Sequence, residues 1–260
     1  MNPAPDPDSK TAPPRRRWGR AVLLVLAFLI LLPPFTVLSH RLVPAPLTFL
    51  MTNRLAQGEG LSRQPRPLDR IAPHLELAVI AAEDANYCRH HGFDIAAIER
   101  ALKHNKKKPG RIRGGSTISQ QVAKNVFLWP GRGWIRKGFE AGYTVLVEAL
   151  WGKRRIMEAY LNVVEWGPGV YGAQAASRRW FGVDADQLSA RQAAALAAIL
   201  PSPRKWKASD GGPYVRRRIS RITAAMGTVR NEGLATCVTG SQKAKPKGNK
   251  NRSPGRRAAS

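Results

Sequence analysis

Between Arg20 and Arg41 the chain carries no Asp, Glu, Lys or Arg. About twenty helical residues span the hydrocarbon core of a bilayer. The run "AVLLVLAFLILLPPFTVLSH", residues 21–40, therefore constrains the architecture more than any other stretch: one helix is solvated by lipid, and the residues after it fold apart from it. Arg15, Arg16, Arg17 and Arg20 stand before it. The positive-inside rule keeps them cytoplasmic and places the remainder on the outer face. The competing reading is a cleaved signal peptide. The run is longer than a usual signal-peptide apolar region, and no clear A-x-A site comes after it. Pro33 and Pro34 are expected to kink the helix or end its regular part.

The rest divides by composition. Residues 1–20 read as a disordered basic cytoplasmic segment, 21–43 as the transmembrane anchor and 44–73 as a loosely structured connector. Residues 74–234 carry the folded domain. Residues 235–260 are basic, rich in Gly, Pro and Ser, and expected to be disordered. Helix signals dominate the domain. "HLELAVIAAED" aligns Leu75, Val79 and Ala82, and Asp94 can N-cap "IAAIERALKHN" with Ile95, Ile98 and Leu102 inward. Ser116 or Thr117 can cap a helix whose Ile118, Val122 and Val126 recur every four residues. "WIRKGFEAGYTVLVEALWG" carries Ile135, Phe139, Leu146 and Leu150 on one side. Ser189 and Gln192 have capping-box spacing, and Pro213 and Gly233 bracket another helix. Strong strand patterns are absent, so the fold is expected to be mainly α. Cys88 and Cys237 lie far apart, one of them in the tail, and do not make a disulfide framework.

Several groups can carry chemistry. "EDANYCRHHG" holds Glu83, Asp84, Cys88, His90 and His91 without the spacing of a zinc site. Glu83 leaves the apolar run "LAVIAA", and a carboxylate there tends toward a raised pKa, which suits a general base or acid. The competing reading is a polar helix end capped by Gly92. In "RIRGGSTISQQVAKN", Gly114 and Gly115 precede a helix N-terminus able to receive an anion, without P-loop spacing. Gln120, Gln121, Lys124 and Asn125 leave that helix's apolar stripe. Arg136 and Lys137 stand four and three residues before Glu140, on one helical face, where a surface ion-pair cluster is the plainer reading. Ser202 and Lys205 match S-x-x-K by chance, since no partner motif is present.

Five blocks, "EDANYCRHHGFD", "GGSTISQQVAKN", "RKGFE", "KRRIMEAYLNVVEWGPGVYGAQAASRRWFG" and "AALAAILPSP", occur in order across about residues 75–205. Together they resemble glycosyltransferase family 51, the peptidoglycan glycosyltransferases. With no transpeptidase domain after them, the chain is similar to the family's stand-alone members. The resemblance implies a lysozyme-like, mainly α domain behind a single N-terminal transmembrane helix, on the periplasmic side of the inner membrane. It implies polymerisation of lipid II. The 4-hydroxyl of lipid II attacks the anomeric carbon of a glycan chain held on undecaprenyl pyrophosphate, forming a β-1,4 link with inversion. By resemblance Glu83 is the general base. Glu140 assists at the donor side, through the pyrophosphate or a bound divalent cation (Mg or Mn). Lys124 holds the pyrophosphate, with Arg100, Arg132, Arg136 and Lys137, while Ser116, Gln120, Gln121 and Asn125 line the cleft. The expected partners are lipid II, the lipid-linked glycan chain, membrane lipids and other cell-wall synthesis or division proteins, with no nucleic acid among them.

Tyr87, Ser119 and Trp166 depart from the family's usual wording without removing a charged group. The 43 Lys and Arg against 17 Asp and Glu give a net charge of +26. That charge asks for an anionic partner. Lipid head groups and pyrophosphates at one surface supply it, and "HNKKKPGRIR", residues 104–113, is expected there as a mobile basic loop. Two other functions compete. A lytic hydrolase on a similar fold would have no use for a pyrophosphate-binding set. A nucleic-acid binder rests on charge alone.

Overall fold

The computed structural model describes residues 15–43, 47–110, 114–131 and 133–240, the side chains of 15–17 excepted. The segments expected to be disordered at residues 1–14 and 241–260, the loop residues 111–113, and Arg132 lie outside the described residues. The chain divides into two units at Pro44/Ala45. The first unit is one helix, α1 (Arg15–Leu42). Its stretch Trp18–Leu42 is long and apolar enough to cross a membrane. The prolines do not end the helix: α1 runs on through Pro33 and Pro34 to Leu42. A proline removes one N–H from the ladder, and the hydroxyl of Thr36 donates to the Pro33 carbonyl at 2.8 Å within the same turn.

In the second unit the elements are α2 (Phe49–Ala56), β1 (Ser62–Arg63), α3 (Pro73–Glu83), α4 (Ile95–Lys107), α5 (Ile118–Phe127), α6 (Trp134–Leu150) and α7 (Lys153–Val163). They continue as β2 (Glu165–Gly167), β3 (Val170–Tyr171), α8 (Ala173–Phe181), α9 (Ala190–Ile199), α10 (Pro213–Asn231) and α11 (Thr236–Thr239). Helix α3 is the axis. Leu75 through Ile80 are all buried, the acid Glu76 among them, so this stretch of the helix is enclosed on every side. Helices α9 and α10 pack on α3, and α5 packs on α6 and α7. The alanines of α9 let it lie close, and Ala193, Ala194, Leu196, Ala197 and Ala198 are wholly enclosed. Caps fix the helix starts as the sequence indicates. Asp94 accepts from the Ala97 N–H at 2.8 Å. Thr117 with Gln120 and Ser189 with Gln192 form capping boxes.

Five expectations are corrected. The region read as a loose connector contains α2, β1 and a 3-10 turn at Leu68–Arg70. Strand β1 is parallel to β3, which pairs antiparallel with β2, giving the order β1-β3-β2. Strands of two and three residues are too short to show an alternation. At Gly169 (φ +68°) a side chain's first carbon would sit 2.2 Å from the Gly60 carbonyl, so glycine permits this pairing. On α4, Ile95 and Leu102 are exposed and Ala101 is buried. The packed face is the one that Gly115 can approach, with a β-carbon there only 3.2 Å from the Ile98 Cα. On α6, Ile135 and Phe139 are exposed while Glu140, Thr144 and Val147 are buried. Periodicity marks an apolar stripe, but the stripe that meets α5 is the one whose carboxylate is neutralised in place.

The fifth correction is a covalent bond. Cys88 and Cys237 form a disulfide, their Cα atoms 5.6 Å apart across 149 residues of sequence. Residues 235–239, read as part of a disordered tail, end in α11, which packs on α7, α3 and the 3-10 turn Tyr87–Arg89. Distance along the chain says nothing about distance in the fold once helices bring both ends back.

Candidate active site

The adjacent acids of "AAED" separate because α3 ends between them. Glu83 is its last residue, and Asp84 turns away with φ −157°. Asp84 is buried; it accepts the Ile118 N–H at 3.0 Å and the His90 Nε2–H at 2.9 Å. It therefore anchors the N-terminus of α5, where a carboxylate is favoured by the helix dipole. Gly92 (φ +91°) closes the same turn. Its carbonyl accepts from the Thr117 hydroxyl at 2.6 Å, and a β-carbon on it would meet Thr144 at 2.7 Å. His90 and Cys88 of this stretch thus serve structure, and no cluster of three His, Cys, Asp or Glu suited to a metal exists among the described residues.

Glu83 faces a cleft of about 580 Å³ lined in part by Arg100, Ser116, Gln121, Lys124 and Arg218. The Gln121 amide donates to its Oε2 at 3.2 Å, and the Arg218 guanidinium stands 3.7 Å from its Oε1. Burial pushes the Glu83 carboxyl above the usual carboxylate range, against the opposing pull of Gln121, Arg218 and Lys124. Lys124 has no ion-pair partner within 4 Å among the described residues. Burial holds its ammonium below the usual lysine range, while Glu140 and Glu83 act the other way. A cation of this kind, unneutralised and half withdrawn from water, suits an anionic ligand arriving in the cleft.

The expected site residues fall into three groups. Glu83, Arg100, Ser116, Gln121 and Lys124 meet in the cleft. Glu140, Arg136 and Lys137 do not line it. They form a cluster of their own, with Arg136 3.0 Å from one carboxylate oxygen of Glu140 and Lys137 on the other. This cluster is felt electrostatically at Lys124. With both oxygens held by cations, Glu140 does not fit the ligand of a Mg or Mn ion. Gln120 and Asn125 are absent from the cleft wall. Gln120 is spent on the capping box, its Oε1 accepting the Thr117 N–H at 3.0 Å, and Gln121, one residue on, reaches Glu83.

Arg218 was missed by sequence reasoning. It had a signal: Val215, Ile219 and Ile222 form the buried stripe of α10, and an arginine at 218 lies on the edge of that stripe. Arg218 also walls an adjoining hollow of about 520 Å³ with Tyr214, Arg217 and Arg221. Cationic side chains therefore stand on both sides of Glu83, from α5 and from α10.

A model of the family described as Transglycosylase matches residues 51–227. A biosynthetic peptidoglycan transglycosylase from Caulobacter vibrioides is 54% identical over 226 residues, covering 86% of this chain and 97% of the relative. Proteins of the same description from Rhodospirillum centenum and Pseudomonas aeruginosa are 52% identical over 220 residues and 54% over 192. These alignments cover 84% and 72% of this chain, and 95% and 82% of the respective relatives.

Proposed function

The chain belongs to the transglycosylase family, and on that premise we propose that it is a peptidoglycan glycosyltransferase that polymerises lipid II into β-1,4 glycan strands. The observation that carries the reading is Glu83, largely withdrawn from water and weakly paired, between two cationic surfaces. A sugar hydroxyl is a poor nucleophile at neutral pH, so a positioned base is required. Glu83, in its ionised form, takes the proton from the 4-hydroxyl of the lipid II acceptor as that oxygen bonds to the donor's anomeric carbon. The bond from that carbon to the pyrophosphate breaks on the opposite face, which inverts the configuration. The electron pair leaves with undecaprenyl pyrophosphate. Negative charge grows on that leaving group, and fixed cations lower the barrier most where charge develops. Lys124, with Arg100 and, beyond the cleft wall, Arg136 and Lys137, supplies this field for the donor. The groove of Arg217, Arg218 and Arg221 suits the pyrophosphate of the acceptor. Glu140 orients Arg136 and Lys137 rather than touching substrate.

Residues 21–43 anchor the chain in the inner membrane, with the domain from residue 74 onward on the periplasmic side. Arg15–Arg17 and Arg20 support that orientation, and so does the disulfide, since such bonds persist in oxidising compartments. The reading is tested by lipid II polymerisation with the detergent-solubilised protein beside Glu83→Gln. Glycan chains sensitive to muramidase from the wild type, and at least a hundred-fold fewer from a folded Glu83→Gln, are the expected result. Shortening of added peptidoglycan in place of chain growth would make a lytic enzyme the better reading.

A further inference from the structure

Residues 84–92 come directly after Glu83 with little regular structure, a single 3-10 turn at Tyr87–Arg89. Few backbone bonds hold the segment: the Asp84 N–H to the Ile80 carbonyl of α3 at 3.0 Å, the Tyr87 N–H to the Asp84 carbonyl at 3.0 Å and the Arg89 N–H to the Asn86 carbonyl at 2.7 Å. Its placement, and with it that of the last turn of α3, therefore depends on tethers to its surroundings. One tether is the Asp84 bridge to α5, and at the far end the Asn86 amide donates to Asp94 at 2.8 Å and the Gly92 carbonyl accepts from the Thr117 hydroxyl. A further set, between these, closes a ring. The Tyr87 hydroxyl donates to the Lys153 carbonyl at 2.8 Å, and the Lys153 ammonium lies 4.6 Å over the Tyr87 ring. The next residue, Arg154, donates to the Val238 carbonyl of α11 at 2.9 Å. Beside Val238, Cys237 returns to Cys88 through the disulfide. Two successive residues at the start of α7 thus hold the two ends that the disulfide joins. Both cysteines are half-buried, within reach of a small reductant.

We propose that the Cys88–Cys237 disulfide is a positioning element for Glu83, so that the enzyme reaches full competence only when this bond is closed. Opening it takes two electrons and two protons from a dithiol, which becomes a cyclic disulfide, and leaves two thiols. The segment after Glu83 then loses its covalent hold on α11. The carboxylate drifts from its place beside Gln121 of α5 and Arg218 of α10, among the charged and titratable groups that act on it or feel it: Lys124 of α5, Tyr160 of α7 and the neighbouring Asp84. The α9 side of α3 presents alanine, leucine and isoleucine, so no further charge re-anchors it there. A displacement on the order of 1 Å at a base costs far more in rate than in binding. The coupling also has a use, since a chain with this bond still open before export would be held at low activity.

The inference rests on the polymerase reading, so its test has one readout independent of turnover. The full chain in detergent is compared in four states: oxidised, reduced with dithiothreitol, reoxidised, and as the Cys88→Ser/Cys237→Ser variant. Lipid II polymerisation gives kcat and KM. Infrared difference titration, assigned by subtracting the Glu83→Gln spectrum, gives the midpoint of the Glu83 carboxyl. The expected result is a kcat about ten-fold lower in the reduced and serine forms at nearly constant KM. The Glu83 midpoint moves down toward the ordinary range as water reaches the group, and both return on reoxidation. A lower melting temperature with kcat and midpoint unchanged at 25 °C would reduce the bond to a plain staple and overturn the proposal. If no state makes glycan chains, the polymerase reading falls, and the midpoint alone still decides whether the disulfide positions Glu83.

Discussion

Glu83 and Glu140 are both carboxylates on helices, and both are withdrawn from water, yet they are built for opposite ends. Glu140 is 3% exposed and has a cation on each oxygen, Arg136 and Lys137, one turn before it on the same helix. Its charge is cancelled locally, by sequence neighbours. Glu83 has an amide at 3.2 Å and a guanidinium at 3.7 Å, each brought from another helix. Its charge is only partly compensated, and burial raises its pKa. Lys124 lies between the two, influenced by both and paired with neither. Burial alone therefore does not make a base. A buried carboxylate stays reactive when its counter-charges are held just beyond contact, where an incoming hydroxyl can still compete for its lone pairs.

The largest effect should divide the two residues. Glu83→Gln is expected to lower kcat by about 10³-fold with an unchanged or raised melting temperature, since it removes a desolvated charge. In the wild type the acid limb of the pH–rate profile should lie above the ordinary glutamate range, because Glu83 must ionise to act and its folded pKa is raised. An equal loss of stability in Glu83→Gln would break the contrast. Glu140→Gln should behave in reverse. Stranding the largely buried Arg136 beside a neutral amide should cost about 3 kcal/mol in chemical denaturation, with a smaller loss of rate than Glu83→Gln. Lys124→Ala should lower kcat/KM by about a hundred-fold, and the loss should be larger for the lipid-pyrophosphate donor than for the acceptor when the two are varied separately.

The smallest effect concerns a third carboxylate, Glu76, seven residues before Glu83 on α3. It is 3% exposed, its Oε2 has no hydrogen-bond partner among the described residues, and burial raises its pKa to about 7 despite Arg154. Its folded pKa lies above its unfolded value. The stability it lends is thus complete below the unfolded pKa and is lost as pH rises through about 7. Glu76→Gln should stabilise the protein by about 2 kcal/mol at pH 8 and hardly at all at pH 4, read as the difference in melting temperature at the two pH values. Equal effects at both would mean that Glu76 is ionised throughout and paired more closely to Arg154 than the geometry indicates.

Local rules determined much of this molecule. The run of twenty residues without Asp, Glu, Lys or Arg determined α1, because that length of predominantly apolar helix spans the hydrocarbon core of a bilayer. Asp94, Thr117 and Ser189 set three helix starts, since a cap depends only on residues within one turn. Glu83 at the end of an apolar helix already announced a perturbed acid, and five blocks in family order announced the chemistry. The contacts a residue makes across the fold were out of reach of such rules. Gln120 folds back into a cap that is local, but that Gln121 reaches Glu83, far away in sequence, depends on where the end of α3 meets α5. The exposed faces of α4 and α6, Arg218 beside Glu83, and the closure of Cys88 on Cys237 all depend on which helix faces approach each other. That is settled by close packing of residues distant in sequence, where Gly115 and the alanines of α9 decide by being small.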